Sequence, residues 1–280
     1  MPTIVVGTEN GTDINLWFED HGSGRPVVLV HGFPLNGRSW ERQTTALLRA
    51  GHRVITYDRR GYGLSDQPTT GYDYDTFTAD LHTLLEHLDV RDAVLVGHSM
   101  GTGEVIRYLA THGTGRVAKG VLIATIPPFL LKTDDNPEGL DGLVFEDAKA
   151  FADRDRYAYL AQTLQDFYRP DLIGTDRSSP EAIQASYEVS TGSSAWATQA
   201  CIDSWLTDFR PDVAKVAAQG VPMMLIHGTA DLNTPFEATG ARLPALLPGL
   251  EFIKVDGAPH LLPWTHPEVV NPALLRFCGQ

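Results

Sequence analysis

Short apolar runs recur along the chain, and each is followed by a polar residue or a glycine. Most are rich in β-branched residues and are apolar at nearly every position rather than at every second one. Such runs are typical of strands that are buried on both faces in the middle of a parallel sheet. The runs that predict strands are residues 14–18, 26–30, 53–57, 93–96, 119–124, 222–228 and 251–255.

Between these runs, apolar residues recur every three or four positions, which is the spacing of a helix with one buried face. The pattern predicts helices over residues 40–48, 75–88, 104–109, 236–247 and 267–277. A chain that alternates strands with helices is expected to form an α/β fold, with right-handed crossovers and helices on both faces of the sheet.

The alternation stops between residues 126 and 217, where helical stretches continue without a strand pattern. This segment is rich in aromatic residues and opens with Pro127 and Pro128. Helical hairpins inserted between two strands would cover the edge of the sheet at which the strands end. We therefore predict one domain, with an α/β core of residues 1–125 and 218–280 and a helical cap of residues 126–217.

The charge and the cysteine content argue against several classes of partner and site. The 280 residues include 22 Lys and Arg and 35 Asp and Glu, a formal net charge of −13. Such a chain repels nucleic-acid phosphates and anionic membranes. Cys201 and Cys278 are too few for a disulfide framework and are not spaced with histidines as in a zinc site. No stretch has the roughly 18 apolar residues of a membrane span, so we expect a cytoplasmic protein without membrane or nucleic-acid partners.

One pentapeptide, Gly97-His98-Ser99-Met100-Gly101, stands where a predicted strand meets a predicted helix. In a Gly-x-Ser-x-Gly sequence the serine occupies a sharp turn with its Oγ exposed, and side chains two residues to either side would collide there. A serine hydroxyl is a weak nucleophile, so it needs a neighbouring base, which in turn needs an acid to orient it. Ser99 is therefore the candidate nucleophile.

The base and the acid are sought after later strands, because the chain order in this arrangement is serine, acid, histidine. His260 lies in a tight loop just past the last predicted strand and is favoured over His266, which begins the final helix. Asp231 follows the run at 222–228 and is the candidate acid. Its rival Asp256 lies too close to the His260 loop to approach the imidazole from the opposite side.

The third part of such a site is an oxyanion hole, which usually combines the backbone N–H after the nucleophile with one from an early loop. Met100 supplies the first N–H. The loop His31-Gly32-Phe33-Pro34 follows an early buried run, so the N–H of Phe33 is the candidate for the second. Pro34 has no N–H and a fixed φ, which favours a rigid loop.

Four motifs and four further stretches of sequence carry a resemblance to known proteins. The motifs are His31-Gly32-Phe33-Pro34, Asp58-Arg59-Arg60-Gly61-Tyr62-Gly63-Leu64-Ser65, Gly97-His98-Ser99-Met100-Gly101 and Gly257-Ala258-Pro259-His260. The further stretches are residues 69–77, 100–104, 129–137 and 205–210. In its four motifs the chain resembles the α/β-hydrolase superfamily. In the four further stretches it resembles one group within that superfamily, the bacterial cofactor-free (non-haem) haloperoxidases. These enzymes are also described as perhydrolases and aryl esterases.

The resemblance implies an eight-stranded, mostly parallel sheet with a helical cap between strands six and seven. It also implies Ser99, Asp231 and His260 as a catalytic triad, Phe33 and Met100 as oxyanion donors, and no metal, haem or other cofactor. In such enzymes a carboxylic ester or acid acylates the serine. Hydrogen peroxide then takes the place of water and yields a peracid, which oxidises halide in solution. Pro34 matches a proline associated with this activity.

We therefore predict a serine hydrolase for small-molecule esters or carboxylic acids, with perhydrolase and haloperoxidase activity. A lactonase, an amidase such as a γ-lactamase, or a C–C bond hydrolase with the same triad is the alternative, and a non-catalytic ligand receptor is a third reading. Family precedent favours a homo-oligomer. The acyl pocket is expected to be lined by Pro34, by aromatic residues of the cap and by residues at which this chain departs from many relatives. The predicted pocket residues are Pro34, His98, Phe129, Phe145, Trp205, Leu261 and Leu262.

Overall fold

The computed structural model describes residues 2–279, and these residues form one sheet of eight strands. The strands lie in the order β1-β2-β4-β3-β5-β6-β7-β8. The β1–β2 and β2–β4 pairs are antiparallel, and the other pairs are parallel. The prediction of a mostly parallel eight-stranded sheet is confirmed. The strands are β1 (Thr3–Glu9), β2 (Thr12–His21), β3 (Pro26–Val30), β4 (Arg53–Tyr57), β5 (Ala93–His98), β6 (Val117–Ile123), β7 (Met223–Gly228) and β8 (Glu251–Val255).

Every apolar run that predicted a strand overlaps one of β2 to β8, whereas no run predicted β1. The central strands β5 and β7 are buried along their whole length, as continuous apolar runs indicate. β1 lies at the edge of the sheet and is largely exposed, and its register against β2 shifts between Val5 and Gly7. Its sequence therefore lacks the continuous apolar character that marks the buried strands.

Helices pack on both faces of the sheet, as the alternation of elements predicted. On one face α1 and α12 bury Leu47 and Phe277 against β3 and β4, in a cluster that includes Val27 and Val54. On the other face α2, α3 and α9 pack together. The helices are α1 (Glu41–Arg49), α2 (Tyr74–His87), α3 (Met100–His112), α4 (Gly142–Arg154), α5 (Arg156–Tyr168), α6 (Pro170–Ile173), α7 (Pro180–Thr191), α8 (Ala195–Ser204), α9 (Arg210–Gln219), α10 (Leu243–Leu246), α11 (Leu262–Thr265) and α12 (Pro267–Gly279).

The prediction of one helix over residues 236–247 is wrong. The structure has two 3-10 turns, Phe236–Ala238 and Gly240–Arg242, followed by the short helix α10. Gly240 packs so closely on the imidazole of His227 that a Cβ atom would overlap the ring. Pro244, in the first turn of α10, has no N–H to donate to a preceding turn. The backbone of Thr239, with φ of −129° and ψ of −88°, is not helical and separates the two turns. The spacing of apolar residues alone therefore did not predict this break.

The chain between β6 and β7 holds helices α4 to α9. The division into a core of residues 1–125 and 218–280 and a cap of residues 126–217 stays a prediction. Helix α9 runs across the boundary at residue 217 and packs on α3. Helices α4, α5, α7 and α8 pack on one another in pairs, α4 with α5 and α8, and α5 with α7.

A fully buried ion pair joins the end of β4 to helix α3. Arg59 and Glu104 form this pair, and both side chains are almost completely shielded from solvent. The hydroxyl of Tyr57 donates to the same carboxylate at 2.6 Å, and the guanidinium of Arg59 donates to the carbonyl oxygen of His31 at 2.7 Å. The pair therefore ties two elements of the core to the loop that follows β3.

Replacing Glu104 by glutamine is expected to destabilise the fold by about 3–5 kcal/mol, because it leaves the Arg59 charge buried without a counter-ion. The free energy of unfolding in urea measures the effect. Asp89→Asn, which breaks the exposed ion pair with Arg91, is the matched control and should change the stability little. Equal small effects in both variants would show that the buried pair does not stabilise the fold.

Both cysteines are free thiols inside the protein. Burial raises the pKa of Cys201 to about 12 and that of Cys278 to about 11. The hydroxyl of Tyr62 donates to Sγ of Cys201 at 3.0 Å. Over residues 2–279, no helix combines the length and the apolar character that a membrane crossing requires.

Candidate active site

The turn between β5 and α3 holds Ser99 in a backbone conformation that side chains seldom adopt, with φ of 53° and ψ of −119°. The two flanking glycines make this turn sterically possible. A Cβ atom on Gly97 would overlap the carbonyl oxygen of Gly101, and one on Gly101 would overlap the carbonyl oxygen of Val30. The sharp strand-to-helix turn expected of the pentapeptide is therefore present, with Ser99 at its apex.

His260 and Asp231 meet from two different loops at the carboxyl ends of β8 and β7. Nδ1 of His260 lies 2.8 Å from Oδ2 of Asp231, and both side chains are buried. Nε2 of His260 is buried and has no hydrogen-bond partner within residues 2–279. His260 and Ser99 line the same cavity. The structure thus brings together the three residues that the sequence singled out.

The two rival residues lie elsewhere. Nδ1 of His266 lies 2.9 Å from the hydroxyl of Thr265, at the start of α12. Asp256 is exposed, with Nζ of Lys254 3.4 Å from its carboxylate. Neither of them lines the cavity that contains Ser99.

The carboxylate of Asp231 is held by donors on every side. Its Oδ1 accepts from the backbone N–H groups of Asn233 and Thr234, both at 2.9 Å. Its Oδ2 accepts from the Thr234 hydroxyl at 2.8 Å, and Nε2 of His227 lies 3.3 Å away. Burial raises the pKa of Asp231, but attraction to His260 and hydrogen bonds from His227 and His260 outweigh it and hold that pKa far below its usual range. Asp231 is therefore an ionised acceptor for the imidazole of His260.

His227 is a contact of Asp231 that is not among the site residues predicted from the sequence. It is fully buried at the end of β7, and its Nε2 lies 2.9 Å from the carbonyl oxygen of Thr234. A carbonyl oxygen only accepts, so Nε2 carries a proton, and that proton also points towards Asp231. Thr234 was missed as well, although a hydroxyl three residues after a predicted acid is a recognisable signal of local hydrogen bonding.

Two backbone N–H groups next to Ser99 are free to donate. Within the described residues, neither the N–H of Phe33 nor that of Met100 has a hydrogen-bond acceptor in the protein. Met100 is the first residue of α3, so its N–H also lies at the positive end of the helix dipole. Gly32 packs directly against Ser99, since a Cβ there would lie 2.9 Å from Cβ of Ser99 and from Nδ1 of His98. The loop after β3 therefore lies against the serine, as an oxyanion hole requires.

Buried hydrogen bonds to His31 fix the position of the loop that follows β3. The N–H of Arg59 donates to Nε2 of His31 at 2.9 Å, so the neutral ring carries its proton on Nδ1. This Nδ1–H donates to the carbonyl oxygen of Gly32 at 2.9 Å. Burial, together with the nearby charge of Arg59, lowers the pKa of His31 well below its usual range. A neutral His31 thus anchors the residue that precedes Phe33.

The cavity above Ser99 has a volume of about 300 Å³ and an apolar wall. Two of the predicted pocket residues, Phe145 and Trp205, contribute to this wall, and the ring of Trp205 meets that of Phe33 edge-on with 4.8 Å between centroids. The residues that line it are Phe33, Ser99, Ile126, Leu130, Leu140, Val144, Phe145, Ala148, Phe151, Tyr159, Gln162, Thr163, Asp166, Phe167, Trp205, Leu232, Asn233, Thr234 and His260.

The other five predicted pocket residues do not line this cavity. Nε2 of His98 donates to the carbonyl oxygen of His260 at 3.0 Å, and burial lowers the pKa of His98 to about 3, so that it supports the His260 loop as a neutral ring. Phe129 is buried with the guanidinium of Arg210 5.0 Å from its ring centre. Pro34 is buried in its loop, outside the cavity wall.

Leu261 and Leu262 were expected in the pocket because they depart from many relatives at positions next to His260, but both side chains pack elsewhere. Leu262 belongs to the core cluster on the α1 and α12 face of the sheet. Leu261 packs with Leu35 and Tyr168 and lines a separate groove of about 420 Å³ beside α7. That groove is larger than the cavity above Ser99, but none of the three candidate catalytic residues lines it.

Comparison with known proteins gives concordant results. The family model described as alpha/beta hydrolase fold matches residues 25–267. A Synechocystis sp. protein that carries the provisional name non-heme chloroperoxidase is 54% identical over 278 residues, which cover 99% of each chain. A bifunctional esterase/perhydrolase of Acinetobacter calcoaceticus is 35% identical, over 97% of this chain and 98% of the relative. The crystal structure of a bromoperoxidase from Bacillus anthracis matches with a TM-score of 0.93 at 43% identity, over 100% of this chain and 99% of the other.

Proposed function

The chain belongs to the α/β-hydrolase family and, within it, to the bacterial non-heme haloperoxidases, and from that premise we propose how its residues carry out the reaction. The protein is an enzyme that acts on small carboxylic esters through an acyl-serine intermediate. In the presence of hydrogen peroxide it is a cofactor-free perhydrolase and haloperoxidase. Ser99 is the nucleophile, His260 the general base and Asp231 the residue that orients the imidazole.

Acylation begins when Oγ of Ser99 attacks the ester carbonyl carbon and Nε2 of His260 takes the hydroxyl proton. The carbonyl oxygen becomes an oxyanion, which accepts hydrogen bonds from the N–H groups of Phe33 and Met100. The tetrahedral intermediate collapses as the C–O bond to the alcohol breaks. His260 gives its proton to the leaving alkoxide, and the acyl group remains on Ser99.

Deacylation repeats these steps with a second nucleophile. Hydrogen peroxide gives a proton to His260 while its oxygen attacks the acyl carbon. The bond from that carbon to Oγ of Ser99 breaks, Oγ takes the proton back from His260, and a peracid leaves. The peracid then transfers one oxygen atom to a halide ion in solution, which yields hypohalous acid after protonation and regenerates the carboxylic acid. With water in place of peroxide, the same step gives the carboxylic acid directly.

One observation carries this proposal. Nδ1 of His260 is bound to the ionised Asp231 at 2.8 Å, and Nε2 of the same ring is buried, unpartnered within residues 2–279 and part of the cavity that Ser99 also lines. An imidazole whose Nδ1–H is fixed by a carboxylate has its lone pair on Nε2. A base that can accept a proton therefore lies in the same cavity as the nucleophile.

Covalent labelling tests the proposal directly. A fluorophosphonate should add to the protein once per chain, with loss of fluoride, and the increase in intact mass should be absent from Ser99→Ala. Ser23→Ala, which changes a serine in the exposed turn after β2, is the matched control and should be labelled at the wild-type rate. Folded wild-type protein that takes up no label would contradict the proposal and favour a ligand receptor.

Three further assignments belong to this proposal. The protein functions in the cytoplasm, where its two buried, unpaired cysteines match a reducing compartment. Residues 126–217 act as a cap, since Phe145 and Trp205 from this segment form part of the wall above Ser99. The assembly is a homo-oligomer, as the resemblance implied, and sedimentation analysis measures its size.

A further inference from the structure

The wall of the catalytic cavity carries one carboxylate that the reaction does not use. Asp166, near the carboxyl end of α5, lines the cavity together with Gln162 from the preceding helical turn. Nε2 of Gln162 donates to Oδ1 of Asp166 at 3.1 Å. Asp166 is half-buried and Gln162 is exposed, so this pair lies where the cavity meets solvent.

Asp166 has no counter-ion in the part of the chain that the structure describes. The basic side chain that follows it on the same helix, Arg169, has its guanidinium engaged with Asp171, with two donors at 2.9 Å from the two carboxylate oxygens. Among residues 2–279, the wall of the cavity contains no lysine and no arginine, and apart from Asp166 its titratable side chains are those of Tyr159 and His260. Partial burial raises the pKa of Asp166 above its ordinary value, whereas the hydrogen bond from Gln162 and the nearby charge of Arg169 lower it, so the carboxylate is ionised at pH 7. No cation in the cavity wall among the described residues offsets this negative charge.

We propose, on the basis of the function proposed above, that Asp166 makes the enzyme selective for acyl donors without a second negative charge. The apolar wall binds the hydrocarbon part of an uncharged ester. A substrate with a carboxylate on its acyl or alcohol part would have to place that charge in an apolar cavity beside Asp166, with no cation to offset either charge. The same repulsion acts on a dissociated carboxylic acid, so a free carboxylic acid acylates Ser99 in its protonated, uncharged form. The net charge of −13 adds to this repulsion at long range.

Two pairs of esters that differ by one charge test this selectivity. The acyl pair is p-nitrophenyl pentanoate with mono-p-nitrophenyl glutarate, and the alcohol pair is methyl 4-acetoxybenzoate with 4-acetoxybenzoate. The quantity measured in each variant is the ratio of kcat/KM for the anionic member to that for the neutral member. We expect a ratio well below one for the wild type in at least one pair, after correction for the uncatalysed rates. Asp166→Asn should raise that ratio by about five-fold, the effect of a unit charge at roughly 7 Å in a partly screened site.

The substitution keeps an oxygen that can accept from Gln162, so the local hydrogen bond is retained. The control Asp153→Asn removes one charge from α4 at an exposed position outside the cavity wall and should leave both ratios unchanged. Added salt should raise the wild-type ratio towards one, and it should change the ratio of Asp166→Asn less. Ratios that are the same in Asp166→Asn and in the wild type would overturn this inference, while neutral-ester turnover that persists in Ser99→Ala would instead overturn the proposed function.

Discussion

Replacing Ser99 by alanine is expected to lower kcat for p-nitrophenyl acetate by about 10⁴-fold or more. Alanine has no oxygen that could be acylated, so neither half of the reaction can proceed through the enzyme. The remaining rate should reflect only substrate binding and the oxyanion donors. The peroxide-dependent halogenation rate should fall in parallel, because hydrolysis and perhydrolysis share the acyl-serine intermediate.

The fold should survive this substitution, because the Ser99 side chain makes no hydrogen bond to another residue in the described part of the chain, whereas its backbone bonds to Ile123 and Thr102 remain possible. Near-ultraviolet circular dichroism and the urea midpoint check this point, with Ser23→Ala as the control. Halogenation that persists after ester hydrolysis is lost would place the peroxide chemistry outside the cavity above Ser99.

Asp231→Asn is expected to lower kcat by about 10⁴-fold while leaving KM within a few-fold. The backbone N–H groups of Asn233 and Thr234 both point at the Oδ1 position, so the amide oxygen of the new asparagine must lie there. Its NH₂ group then faces Nδ1 of His260. A ring that accepts on Nδ1 carries its proton on Nε2, and it can no longer accept the proton of Ser99.

Steady-state kinetics on a neutral ester measures this effect, and the nitrogen chemical shifts of the imidazole report the tautomer directly. The control is Asp256→Asn, which changes the rival carboxylate in the loop after β8 and should leave kcat within about two-fold. If Asp256→Asn were the inactive variant instead, the assignment of the acid would be wrong, although the nucleophile and the base would stand.

The elements that the sequence predicted best are those whose signal is local and continuous. Runs such as that of β5 are apolar throughout because the strand is buried on both faces, and this needs no knowledge of the neighbours. The Ser99 turn was predictable because such a turn has no room for side chains two residues before and after the serine, and both of these positions are glycine. The positions of His260 and Asp231 followed from chain order and strand ends, although their approach to 2.8 Å comes from the fold.

The predictions of pocket residues that were wrong share a different cause. The positions of these side chains depend on contacts between distant parts of the chain. His98, adjacent to the nucleophile, turns towards the carbonyl oxygen of His260, and Leu262 joins the core beneath α12. Closeness in sequence to a catalytic residue therefore does not predict which side of the loop a side chain takes. Asp166 carried no sequence signal because its importance rests on the absence of a cation in a wall that several helices build together.

The burial of the two thiols has a consequence for an enzyme that handles peroxide. Oxidation of cysteine requires the thiolate and access for the oxidant. Cys201 and Cys278 offer neither, because both are enclosed and burial raises their pKa values to about 12 and about 11. The thioethers of Met100, Met223 and Met224 also lie in the interior. The sulfur atoms of these five residues are thus shielded from the peracid and hypohalous acid that turnover releases.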